Sequence, residues 1–218
     1  PPLRTNLLIP NTMDFTQFDR LISLTPSDAA AHEATARSMD SNEFSLSVTS
    51  FGPGIFRLRM NAVAKPDYGL IVADADGLTD ARQGANSLTV TAGRASLTLE
   101  SDATHAVNLT LQHKGKTVLT SVTDEHFRGM AKPLEAMRVA PFGLTASQSV
   151  AAFALSADTP VYGLGEKGSA LNKRGQLVSS RVEDALGVNT DLSYKNTPFA
   201  WAITPNGWPS SRTSAVTT

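Results

Sequence analysis

Ser87-Leu88-Thr89-Val90-Thr91-Ala92-Gly93-Arg94-Ala95-Ser96-Leu97-Thr98-Leu99-Glu100 reads as two strands with a turn between them. Leu88 and Val90 alternate with hydroxyl residues before the turn, and Leu97 and Leu99 do so after it. Successive side chains of a strand point to opposite faces, so a period of two sets one apolar face against a core and one polar face toward water. Gly93 supplies the positive φ that a tight hairpin connection requires.

The same grammar extends outward. Val107, Leu109 and Leu111 form a third alternating run, His113-Lys114-Gly115-Lys116 has the composition of a second hairpin turn, and Phe44, Leu46 and Val48 alternate further upstream. A series of antiparallel strands from Ser41 to about Ser156 is too many for one flat sheet, which predicts two packed sheets and an all-β sandwich. Helix is scarce. Ser27 to Met39, with Ser27 or Asp28 as a cap for Ala29-Ala30-Ala31-His32-Glu33-Ala34, is the one helical candidate, and its weak apolar face leaves a mobile connector as the alternative. Asn61 to Asn86 loses periodicity and reads as loops around a short strand, Leu70-Ile71-Val72. There is no internal repeat and no Pro-, Gly- or Ser-rich linker.

Composition excludes several functions. The 218 residues are 41% apolar and 18% charged, an ordinary globular balance. A net charge of -1 offers no basic surface for nucleic acid. With no cysteine there is neither a disulfide frame nor a thiolate nucleophile or zinc-thiolate site. No apolar run approaches the roughly 18 to 20 residues that span a bilayer, so no membrane segment is expected. The sequence opens on Pro1 rather than Met and shows no signal peptide, which suggests a processed or trimmed sequence that has lost any targeting signal it had, so its location, cytoplasmic or periplasmic, is left unassigned.

Several motifs fail on context. Gly163-Leu164-Gly165-Glu166-Lys167-Gly168 fits G-x-G-x-x-G, and Asp184 follows at about the distance of a ribose-binding acid. Gly175 interrupts the stretch where the phosphate-binding helix would have to be, so a dinucleotide is not expected. His32, His105, His113 and His126 lack metal-ligand spacing, and no serine occupies a G-x-S-x-G elbow. Asn108-Leu109-Thr110 has the spacing of a glycosylation acceptor, which matters only in a secreted protein.

The most specific signal lies nearer the C-terminus. Val161-Tyr162-Gly163-Leu164-Gly165-Glu166-Lys167 is followed by Leu171-Asn172-Lys173-Arg174-Gly175 and then by Tyr194-Lys195-Asn196-Thr197-Pro198-Phe199. In order and spacing these segments resemble the end of the N-terminal domain of glycoside hydrolase family 31, where "fyGlGE", "LnkrG", a "W-N-x-D" loop and "YKNiPF" succeed one another. Gly54-Ile55-Phe56-Arg57-Leu58-Arg59-Met60 and the strands between Ser87 and Val122 resemble earlier strands of that domain. The resemblance implies an antiparallel β-sandwich of the galactose-mutarotase-like kind over residues 41–208. Residues 1–40 would be an N-terminal extension packing on it.

It also implies a role. Such a domain is accessory to a retaining α-glycosidase of the α-glucosidase or α-xylosidase type, acting on an α-linked oligosaccharide or glycoside. The two catalytic carboxylates, about 5 Å apart as retention requires, belong to a barrel with no counterpart in this chain, so no catalytic residue is assigned and no metal or cofactor is expected. Alone, the chain should be inactive. Asp184, in Arg181-Val182-Glu183-Asp184-Ala185-Leu186, falls where the family's loop aspartate binds substrate hydroxyls. An ionised carboxylate suits that task because it offers two acceptor oxygens. The face that would dock the barrel implies exposed apolar surface and self-association of the chain. "YKN" at Tyr194 to Asn196 leans toward α-xylosidase-like members.

Two departures stand against the pattern. Ser180-Arg181-Val182 replaces the family's Trp-Asn-x, removing the aromatic wall of the loop. Residues 209–218, Pro-Ser-Ser-Arg-Thr-Ser-Ala-Val-Thr-Thr, are polar where an apolar strand is expected, which suggests truncation, a change of frame or vector-derived sequence, with a divergent natural terminus as the alternative. A stand-alone carbohydrate-binding or mutarotase-like module is the competing function. A mutarotase needs a positioned acid and base, commonly His and Glu, and the histidines offer no clear set.

Overall fold

The computed structural model describes residues 16–26, 31–38, 42–61, 79–101, 106–122, 141–144, 149–156, 158–184 and 193–202. The chain divides into two compact units, Pro1–Ala154 and Leu155–Thr218. Strands of the first are β1 (Thr16–Pro26), β2 (Ala31–Ser38), β3 (Glu43–Ser50), β4 (Phe56–Met60), β5 (Thr79–Gln83) and β6 (Ser87–Ala92). They continue as β7 (Ala95–Glu100), β8 (Asn108–His113), β9 (Lys116–Ser121), β10 (Phe142–Leu144), β11 (Ser149–Ala151) and β12 (Phe153–Ala154). Two strands of the second unit, β13 (Val161–Gly163) and β14 (Ala200–Ala202), pair with each other. Among the described residues there is no helix.

Two six-stranded antiparallel sheets make the first unit, one in the order β11-β10-β1-β2-β3-β4 and the other β12-β9-β8-β7-β6-β5. In β6 and β7 every second position is buried and the ones between are half-buried or exposed, Leu88 and Val90 being 4% and 0% exposed, Leu97 and Leu99 5% and 0%. These residues, with Val107 and Leu109, join Phe18, Leu21, Leu46, Val48 and Phe142 of the other sheet in one apolar cluster. Phe18 stacks on Phe44 at 5.1 Å between ring centroids, and Phe142 meets Phe153 edge to face at 6.2 Å. This is the packing expected of two sheets that share their inner faces.

The sheets are also joined through polar groups. The Leu21 amide donates to the buried Ser101 hydroxyl at 2.8 Å, and the Val107 amide to the Phe18 carbonyl at 3.4 Å. Gly54 donates its N–H to the Ala92 carbonyl at 3.2 Å. Nearby, Gly93 has φ +64°, and a Cβ on it would lie 2.9 Å from Cβ of Pro53, so the hairpin needs glycine for both conformation and space. β11 and β12 flank Ala152, whose N–H donates to Pro141 O (2.8 Å) and whose carbonyl accepts from Val122 N (3.0 Å), as the chain passes from one sheet to the other.

The expected helix over Ser27 to Met39 is corrected by the structure. Residues 31–38 form β2, paired to β1 from His32↔Pro26 to Ser38↔Phe18 and to β3 from Ala31↔Thr49 to Arg37↔Glu43. A weak helical propensity is worth a few tenths of a kcal/mol per residue and yields to ladders on both edges that satisfy the backbone N–H and C=O groups. The boundary expected near residue 41 thus lies between two paired strands, and β1 and β2 are interior to their sheet. Asn108, in the glycosylation-like triplet, is half-buried in β8, with Nδ2 donating to the Ala106 carbonyl at 2.8 Å. Leu70-Ile71-Val72, His105, His126 and the tail after Trp208 lie outside the described residues.

Candidate functional site

The three motif segments near the C-terminus meet in the second unit. β13 and β14 pair from Val161↔Ala202 to Gly163↔Ala200, with the rings of Tyr162 and Trp201 4.8 Å apart and tilted by 38°. Beyond the pair, the Leu164 amide donates to the Phe199 carbonyl at 2.7 Å and the Glu166 amide to the Lys195 carbonyl at 3.0 Å. Gly165 has φ +84°; a Cβ there would overlap the Lys195 carbonyl oxygen and sit 2.7 Å from the Thr197 amide nitrogen. Gly163, at φ +107°, faces the Phe199 carbonyl in the same way. These glycines serve close backbone approach. From Gly168 to Asp184 the chain forms no helix, so there is no helix N-terminus to receive a pyrophosphate.

The middle segment is held by side chains that turn back on the backbone. Asn172 Oδ1 accepts from the amides of Val161 (3.0 Å) and Arg174 (3.1 Å). Lys173 is 7% exposed, and its ammonium donates to Ser169 Oγ at 2.9 Å, the Ala170 carbonyl at 2.7 Å and the Ser169 carbonyl at 3.4 Å. A buried ammonium is costly unless its donors are used, and these neutral oxygens use all three. Arg174 Nη1 donates to the Thr159 carbonyl at 2.9 Å.

Asp184 is exposed and directly follows the limb where Val182 bridges Ser193 and the Glu183 amide donates to the Ser193 carbonyl at 3.4 Å. Asn196 fastens the same place: its Nδ2 donates to the carbonyls of Arg181 and Ser193, both at 2.8 Å, while Oδ1 accepts from Lys167 Nζ. Arg181 and Glu183 pair at 3.0 Å, and Lys195 and Glu166 at 3.2 Å, on exposed surface where such pairs contribute little. Among the described residues nothing pairs with the Asp184 carboxylate, which leaves its acceptor oxygens open to a ligand. Val182 beside it is 65% exposed. Sequence reasoning quoted Lys167, Asn172, Lys173 and Asn196 within the motifs but gave them no role. Lys167 follows Gly165 and Asn172 and Lys173 precede Gly175, so a turn role was open to them, whereas Asn196 has no neighbouring glycine and its partners Lys167 and Arg181 lie far off in sequence.

Large exposed apolar side chains gather in this unit, with Leu171 at 78%, Leu177 at 77%, Tyr194 at 60% and Phe199 at 43% exposed. Among the described residues no group of His, Asp and Glu is arranged to hold a metal ion.

Two antiparallel sheets over a shared apolar core, followed by a loop-built unit carrying an open carboxylate, define an all-β domain of the galactose-mutarotase-like sandwich class. The family model described as the glycosyl hydrolase 31 N-terminal galactose mutarotase-like domain matches residues 45–210, and the chain belongs to that family. Three solved structures illustrate the likeness. A cycloalternan-forming enzyme from Listeria monocytogenes, in complex with a pentasaccharide substrate, superposes with TM-score 0.66 at 15% identity over 87% of this chain and 17% of its own. A GH31 dextranase from Flavobacterium johnsoniae, complexed with glucose, gives TM-score 0.61 at 14% identity, over 85% of this chain and 21% of the dextranase. A GH31 alpha-xylosidase from a soil metagenome, complexed with xylose, gives 0.56 at 16% identity, over 83% and 26%. The chain therefore spans about a fifth of the length of the enzymes it resembles. No curated protein sequence matches it.

Proposed function

We propose that this chain works as the N-terminal accessory domain of a retaining α-glycosidase of α-glucosidase or α-xylosidase type, and that the loop bearing Asp184 contributes to the substrate site of that enzyme's catalytic barrel. The observation that carries the reading is an exposed carboxylate, unpaired among the described residues, at a loop base pinned by backbone and amide bonds, in the register of the family's loop aspartate. Membership of the family supports the accessory role. The sugars bound by the structural relatives support a carbohydrate as the substrate class. Because the catalytic acid pair of such an enzyme belongs to its barrel, the chain alone should give no turnover of aryl α-glycosides.

The test is kinetic, in the enzyme that contains this domain. A charged acceptor that bonds substrate hydroxyls in a dry subsite contributes about 1.5 to 3 kcal/mol. Asp184→Ala should therefore lower kcat/KM by roughly ten- to over a hundredfold with an unchanged thermal melt. Asp184→Asn should fall less, since the amide keeps one acceptor oxygen. Both variants within about twofold of the parent would leave Asp184 a surface acid and remove the site from this domain.

A further inference from the structure

Arg181 and Ser193 lie on opposite limbs of the loop that carries Asp184, and one side chain holds both. Asn196 spends its two amide hydrogens on the Arg181 and Ser193 carbonyls, at 2.8 Å each. That orientation turns Oδ1 toward Lys167, whose ammonium donates to it and also to the Ser179 carbonyl at 2.7 Å. The ammonium thus joins the glycine-rich turn to the loop's approach, and the amide joins that approach to the return. Asp184 comes one residue after Glu183, whose N–H is bonded to Ser193 O. One residue of backbone, about 3.8 Å, separates the carboxylate's Cα from the last tie.

We infer that Lys167 and Asn196 are positioning residues that fix the approach of Asp184 to a sugar, acting through the loop base and touching no substrate themselves. The inference rests on the reading of Asp184 as a sugar ligand. Holding the two limbs together before the sugar arrives removes an ordering cost from binding, which is how a preorganised loop gains affinity without new contacts. The chemistry of the pair is asymmetric. Lys167→Arg retains donors for both acceptors, whereas Lys167→Met removes them and Asn196→Asp would turn a carboxylate oxygen toward two carbonyl oxygens.

Two measurements separate this inference from the reading beneath it. The first is amide hydrogen exchange on the chain as it stands. Lys167→Met and Asn196→Ala should speed exchange of the Glu183 amide by about tenfold or more, with β6 and β7 unchanged and Lys167→Arg close to the parent. The second is a double-mutant cycle in the enzyme containing the domain. Lys167→Met should raise KM about three- to tenfold with kcat within about twofold, the signature of lost binding. In the Asp184→Ala background the same substitution should have no further effect. Unchanged exchange at Glu183, or losses that simply multiply in the double variant, would overturn the positioning role while leaving Asp184 as a ligand. Parental kinetics in Asp184→Ala would overturn both.

Discussion

Ser101→Ala isolates one polar bond between the two sheets. Ser101 directly follows β7 and is 5% exposed; its Oγ accepts the Leu21 amide of β1 at 2.8 Å, and Leu21 is itself 1% exposed. Alanine keeps the backbone and nearly the volume, so the main change is a buried N–H left without an acceptor where water has no room. Stranding such a donor costs about 1 to 3 kcal/mol. In a unit of this size each kcal/mol lowers Tm by roughly 2 to 4 °C, which gives an expected fall of about 2 to 12 °C. Urea unfolding should show a lower midpoint at the same m-value, since the surface exposed on unfolding is unchanged. Ser45→Ala, at an exposed position of β3, is the control and should stay within about 0.5 kcal/mol. If Ser101→Ala also stays within that range, the bond does not hold β1 to the second sheet and the stitching argument fails.

Two further outcomes test how the units are built. Deleting the residues before Asn42 removes β1 and β2, takes Phe18 and Leu21 out of the core and leaves β10 paired to β11 alone, so circular dichroism should show loss of the cooperative unfolding transition; a cooperative melt at the parental temperature would mean the remaining strands fold without them. Gly165→Ala forces a Cβ into the Lys195 carbonyl at φ +84°, a left-handed conformation alone costing about 1 to 2 kcal/mol, and should loosen the Tyr194–Phe199 segment to limited proteolysis while sparing the first unit; equal protection in variant and parent would refute the close approach.

The sandwich was legible because its information is periodic. Leu88, Val90, Leu97 and Leu99 announce their inward face within a few residues, and the turn glycines mark where the chain reverses. β2 was not legible. Ala31-His32-Glu33-Ala34 carries no alternation, and its state is decided by β1 and β3, whose backbones lie on either side of it. A strand whose evidence is its neighbours cannot be read from its own residues. The site divides along the same line. The register of Asp184 could be counted from Pro198-Phe199, but the link from Lys167 to Asn196 to Arg181 joins distant positions with no shared period, and only the folded chain brings them together.

That division has a physical consequence for the second unit. Among its described residues the buried ones are Thr159, Lys173 and Ala202, while Leu171, Leu177, Val182 and Tyr194 are mostly exposed. Apolar burial therefore contributes little, and the segments are held instead by Asn172, Lys173, Arg174 and Asn196 bonding to backbone groups. A net hydrogen bond is worth about 1 kcal/mol, so a loop fixed by a few of them opens far more readily than a strand in the apolar cluster. Each such bond is correspondingly informative. Removing one should alter the position of the loop it ties long before it alters the stability of the sandwich, which is why the motif residues of this unit are best tested by exchange and kinetics and those of the first by melting.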